Sequence, residues 1–140
     1  MYLIAGGAGF LGKHLAERLI RGNASAVRIF DLRREINSLP DAEYTRGDVT
    51  DFSQVETAIK GCSVVFNLVS LLPCSRGRRE FFRVNVEGTR NICAAALMNK
   101  VGKIVHVSTS IVYGIPAEIP LTEESPVKPV GDYGRSKLLA

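Results

Sequence analysis

Three glycines open this chain at regular intervals. In Ala5-Gly6-Gly7-Ala8-Gly9-Phe10-Leu11-Gly12, Gly6, Gly9 and Gly12 follow a short apolar run and precede an amphipathic one. A strand, a tight turn and a helix in that order leave unpaired N–H groups at the positive end of the helix dipole, and glycine lets a pyrophosphate come close to them. The bland alternative is a glycine-rich turn that holds nothing. Asp31 stands nineteen positions after Gly12, at the end of Val27-Arg28-Ile29-Phe30. A carboxylate there can accept hydrogen bonds from adenosine ribose hydroxyls, which favours NAD; taken alone it would be a surface turn carboxylate. Arg33 and Arg34 follow at once and keep a 2′-phosphate, hence NADP, open as the alternative. Near the other end, Tyr133 and Lys137 are four apart where a helix starts, so both lie on one face.

Such groups need a rigid frame. Short apolar or β-branched runs alternate with helical periods, which predicts a parallel sheet with crossover helices. The strands are expected at 2–5, 26–31, 43–46, 62–68 and 103–108, with the last two, the most continuously apolar, in the centre. A first helix should begin near Phe10, bury Leu11, Leu15, Ala16, Leu19 and Ile20, and end at Gly22. A second should be capped by Asp51 with Gln54, bury Val55, Ala58 and Ile59, and stop at Gly61. A third is expected from about Arg79 to Asn99 with Phe82, Val86, Cys93, Ala96 and Leu97 on its apolar side. Pro116, Pro120, Pro126 and Pro129 mark a long shaped loop before the helix that carries Tyr133.

The 140 residues are 46% hydrophobic and 23% charged, which fits one globular domain and excludes disorder, collagen and coiled coil. Eighteen basic against fourteen acidic residues give +4, compatible with an anionic ligand but not a sign of nucleic acid. Cys62, Cys74 and Cys93 are odd in number and lack CxxC spacing; with only His14 and His106 beside them they assemble no zinc set, and a reducing compartment follows. No charged leader and no long apolar run are present, so a cytoplasmic protein without membrane contact is expected.

The chain resembles the extended short-chain dehydrogenase/reductase family, the NAD-dependent epimerase/dehydratase group, with the 3β-hydroxysteroid dehydrogenase-like branch nearby. The marks are the glycine segment, Asp31, Gly47-Asp48-Val49, Val84-Asn85-Val86-Glu87-Gly88-Thr89, Val107-Ser108-Thr109-Ser110-Ile111-Val112-Tyr113-Gly114 and Tyr133-Gly134-Arg135-Ser136-Lys137. The resemblance implies a Rossmann-type doubly wound sheet over 1–140, with NAD contacts from Gly6, Gly9, Phe10, Leu11 and Gly12. Further contacts would come from Asp31 and Leu32, Asp48 and Val49 at the adenine, Leu68, Val69 and Ser70 beneath, and Asn85, Val107, Ser108, Tyr133 and Lys137 toward the nicotinamide. It implies catalysis by Thr109, Tyr133 and Lys137: the phenol exchanges the proton of a substrate hydroxyl, the ammonium favours phenolate, and Thr109, with Ser108 as the close alternative, bonds the reacting oxygen. No metal enters.

Departures narrow the reading. Ala5 stands where the family usually has threonine, and Val69 and Ser70 where it usually has alanines. Dehydratases carry an acid pair after the active-site threonine; here Ser110 and Ile111 stand there, and neither can protonate a leaving hydroxyl. An epimerase or dehydrogenase acting on a secondary alcohol, foremost of a nucleotide sugar and otherwise steroid-like, is expected, as a homodimer through the third helix and the helix of Tyr133. The sheet should continue beyond Ala140 into a substrate domain, so these residues alone are expected to be inactive. The competing class is a dinucleotide-sensing or RNA-associated protein, suggested by Arg76, Arg78, Arg79, Arg83 and Arg90; a solvated face explains those arginines more simply. His106 is expected to pack in the core.

Overall fold

The computed structural model describes residues 1–22, 26–33, 39–72 and 77–140. Arg34, Cys74 and Arg76, singled out above, lie outside the described residues. Five strands form one parallel sheet: β1 (Tyr2–Ala5), β2 (Val27–Asp31), β3 (Ala42–Arg46), β4 (Val64–Asn67) and β5 (Lys103–His106), in the order β3-β2-β1-β4-β5. From β1 the chain winds outward through β2 and β3, then crosses back to β4 and β5. The order therefore reverses between β1 and β4, and a crevice opens there at the carboxyl ends of the strands.

Side-chain alternation accounts for a two-sided sheet. Leu3 and Ala5 of β1, Phe30 of β2 and Val65 of β4 pack on one face with Val55, Ala58 and Ile59 and with Ile92, Ala95 and Ala96. Ile4, Val27 and Ile29 point the other way, onto Ala16 with Leu15, Leu19 and Ile20 around it. The helices concerned are α1 (Phe10–Arg21), α2 (Phe52–Ile59) and α4 (Gly88–Met98). Asp51 caps α2 by accepting from the Ser53 and Gln54 amides, and Gly61 beyond its end has φ +77°. Between β4 and α4 the helix begins as α3 (Arg78–Phe81) and passes through a π-helical turn, Phe82–Glu87.

Three expectations are corrected. β5 lies at the edge of the described sheet, because no strand pairs with its outer side, and Ile104 is exposed. Leu11 is turned out of the core to the mouth of the crevice, since Gly12, one residue on, takes the contact with the turn. On the third helix Cys93 and Leu97 are exposed while Thr89, Ile92 and Ala95 are buried. The cause is the π turn: its wider winding rotates everything downstream relative to a regular 3.6-residue pattern. The described arginines of this helix face solvent as expected: Arg78, Arg79 and Arg90 are exposed, Arg78 pairs with Asp132 at 3.6 Å, and the half-exposed Arg83 is bonded to Glu80 and Thr50. Among the described residues no helix is long and apolar enough to cross a membrane.

Candidate active site

The glycine turn is built backbone against backbone. Gly6 adopts φ +80°, and a Cβ on it would stand 3.0 Å from the Leu68 carbonyl carbon and the Val69 nitrogen. A Cβ on Gly12 would stand 2.5 Å from Gly7 Cα, so α1 seats directly on the turn. Its N-cap, Gly9, has no capping side chain, and the first turn holds no acidic residue, which leaves the helix N–H groups facing the crevice mouth. Gly12→Ala is therefore expected to cost about 1–3 kcal/mol, because only main chain could yield. The measurement is the thermal midpoint; an unchanged midpoint would contradict the seating described.

Asp31 does more than end β2. Its two oxygens accept from the Ala8 amide at 3.1 Å and the Arg33 amide at 3.0 Å, so the carboxylate is locked to the glycine turn with lone pairs to spare. Around these groups lies a cleft of about 850 Å3. Gly6, Gly9, Phe10, Leu11, Gly12, Asp31, Leu32, Asp48, Val49, Leu68, Val69, Ser70 and Val107, all singled out in the sequence, line it. Leu71, Leu72 and Glu80 line it too and were missed; so do Arg83 and Val84, which are named above without a cofactor contact. The spacing of Glu80 and Arg83 marks them as helix neighbours, but only the folded π turn shows that they face the cleft.

Asn85 sits behind the cleft, 1% exposed. Its Oδ1 accepts from the Leu71 amide at 2.8 Å and its Nδ2 donates to Ser136 Oγ at 2.9 Å, while that hydroxyl donates to the Tyr133 carbonyl. One buried amide thus joins the strand-end loop to α5 (Gly131–Leu139), the helix that carries Tyr133 and Lys137. Phe81 meets the Tyr133 ring edge-on, 6.1 Å between centroids. A Cβ on Gly134 would come within 3.2 Å of Ile111 Cγ2, so the absence of a side chain there lets α5 approach the 3-10 turn Ser110–Tyr113. Thr109 caps that turn, its hydroxyl accepting from the Ile111 amide and keeping its proton to donate. Ser108 is exposed and does not line the cleft.

Lys137 is 4% exposed, and its ammonium donates to the Val107 carbonyl at 2.8 Å. Burial lowers its pKa from the ordinary 10.5. Val107 lines the cleft, whereas Thr109, Tyr133 and Lys137 are not themselves among its lining residues. Burial, helped by the charge of Lys137, also lowers the pKa of His106, whose Nδ1 lies 3.0 Å from Asn67 Nδ2; the ring is neutral and belongs to the frame.

Known proteins share this arrangement. A short-chain dehydrogenase/reductase superfamily protein from Agrobacterium tumefaciens, solved with bound NAD, superposes with a TM-score of 0.90 at 35% identity over 99% of this chain and 42% of its own. The bovine (Bos taurus) sterol-4-alpha-carboxylate 3-dehydrogenase, decarboxylating, is 32% identical over 97% of this chain and 38% of itself. The UDP-glucose 4-epimerase of Halalkalibacterium halodurans is 31% identical over 97% of this chain and 42% of itself. The chain thus spans less than half the length of these relatives. The model of the NAD dependent epimerase/dehydratase family matches residues 2–140, and with the sheet order, the glycine turn and Asp31 in place, the chain belongs to that family.

Proposed function

We propose that this chain supplies the NAD-binding half and the proton-transfer residues of an oxidoreductase or epimerase acting on a secondary alcohol, foremost that of a nucleotide sugar. The observation that carries the reading is Lys137, an ammonium held in a buried position on the carbonyl of the cleft-lining residue Val107. The resemblance gives that ammonium two tasks, a bond to the dinucleotide and support of the phenolate, and its place on one helix face with Tyr133 is what favours the second. The residues fit a dinucleotide: the cleft has the volume of a cofactor site, and Ser70 Oγ is shielded from solvent without a partner among the described residues. Bound NAD would supply hydride acceptance.

Each residue then has a task. The unpaired N–H groups at the start of α1 hold the pyrophosphate, and Asp31 takes the adenosine ribose hydroxyls. Thr109 donates to the reacting oxygen, Tyr133 removes its proton, and Lys137 keeps positive charge beside the phenol. A steroid-like alcohol is the second reading, favoured by Leu71 and Leu72 on the cleft wall and by the sterol dehydrogenase relative. A homodimer through α4 and α5 accords with the exposure of Leu97 and Met98 on one and Leu138 and Leu139 on the other.

The test is a titration of the full chain with NAD and NADP. NAD is expected to bind about tenfold or more tightly, because a 2′-phosphate would meet the fixed carboxylate of Asp31. Equal affinities would move the weight to Arg33, and binding of neither would end the reading. Native mass spectrometry separates the two chemistries: retained NAD marks an epimerase, which regenerates its cofactor, and a nucleotide-free protein marks a dehydrogenase that exchanges it.

A further inference from the structure

Arg83 has no part in the proton transfer, yet it is held in place on the cleft wall. Its Nη2 meets Glu80 Oε2 at 2.9 Å and its Nη1 donates to Thr50 Oγ1 at 2.8 Å. Thr50 passes the bond on: its hydroxyl donates to Asp48 Oδ1 at 2.8 Å, and its amide donates to the same oxygen at 2.9 Å. Because Arg83 can only donate, the threonine hydroxyl must accept from it, and the hydroxyl proton is left for Asp48. The segment is clamped to the same helix twice more. Asn91 Nδ2 donates to the Val49 carbonyl at 3.0 Å, and Gly88 leaves room for Val49, whose Cγ1 lies 2.6 Å from where a Cβ would stand.

Resting on the reading of the cleft as an NAD site, we propose that Arg83 is a positioning residue for recognition of the purine base, acting through Thr50 to fix the carboxylate of Asp48. Both donors from Thr50 go to Oδ1, which orients the carboxylate of this cleft-lining residue and leaves Oδ2 as its second acceptor. An acceptor held there suits the exocyclic amino group of adenine and opposes the carbonyl that hypoxanthine carries in its place. Arg83 also offsets charge. Among the described residues, Asp31, Asp48 and Glu80 line the cleft with Arg33 and Arg83 against them, and an anionic dinucleotide must enter.

The experiment compares NAD with nicotinamide hypoxanthine dinucleotide by calorimetry in the full chain and in Arg83→Gln, Thr50→Val and Thr50→Ser. Arg83→Gln and Thr50→Val are each expected to lose about three- to tenfold of the preference for NAD, the worth of one oriented hydrogen bond, while Thr50→Ser keeps it. The ratio is the decisive readout, since a residue that merely supported the fold would weaken both dinucleotides equally and leave it unchanged. Unchanged preference in Arg83→Gln or Thr50→Val overturns the proposal, as does loss of preference in Thr50→Ser. Failure of the unaltered chain to bind either dinucleotide would instead overturn the underlying reading of the site, and this proposal with it.

Discussion

Turnover of the secondary alcohol by the full-length protein that contains this chain should fall about 10²–10⁴-fold in Tyr133→Phe, with NAD affinity within about twofold of the unaltered protein. The substitution removes one oxygen and nothing else. The ring stays, so its edge contact with Phe81 at 6.1 Å stays, and Ser136 bonds the Tyr133 backbone carbonyl, which phenylalanine also has. Asn85 continues to hold Ser136 from the far side. A fall in turnover with binding preserved therefore reports the lost proton acceptor and no change in the helix. Unchanged turnover would show that another group takes the proton. No turnover of any alcohol by the unaltered full-length protein that contains this chain, with tight NAD binding, would favour the sensing class instead.

What could be read from the residues alone follows a physical division. Contacts local in sequence were legible: the glycine turn needs only its own spacing, Asp51 and Gln54 are three apart, and Tyr133 and Lys137 share a face by the helical repeat. The two-sided sheet was legible because its strands are short continuous apolar runs between helical periods, buried at successive positions such as Leu3, Ile4 and Ala5. Contacts that depend on how elements meet were not. A π turn carries no compositional mark, so Cys93 and Leu97 were given to the buried face, although the added rotation of the helix turns both outward. The centre of the sheet was misplaced for a related reason: an apolar strand is apolar wherever both faces are covered, and nothing in Lys103–His106 records whether a further strand lies beside it. Asn85 is given to the cofactor by the resemblance alone; its bonds to the Leu71 amide and to Ser136 on the Tyr133 helix join residues far apart in the chain.

Lys137→Met is expected to lower turnover about 10²-fold or more while leaving the thermal midpoint at neutral pH within a few degrees of the unaltered chain. Two terms oppose each other in stability. The ammonium is desolvated at a cost of several kcal/mol, and its hydrogen bond to the Val107 carbonyl returns about 1–3 kcal/mol. Methionine keeps the length of the buried stem and removes the charge, and because Val107 is 39% exposed, water can reach the carbonyl it leaves. The sign with pH follows from the lowered pKa. The folded chain holds the Lys137 proton less firmly than the unfolded one, so between the folded pKa and the ordinary 10.5 the unfolded state binds more protons and stability rises with pH. Below that window the penalty is fully present. The methionine variant lacks this component, and His106, whose pKa is lowered from 6.5, titrates beneath the window in both proteins. Melting both proteins from neutral pH towards 10.5 should therefore shift the difference in midpoint in favour of lysine. A difference that stays flat would mean that the ammonium is as well solvated when folded as when unfolded, and the buried charge that supports the catalytic reading would be gone.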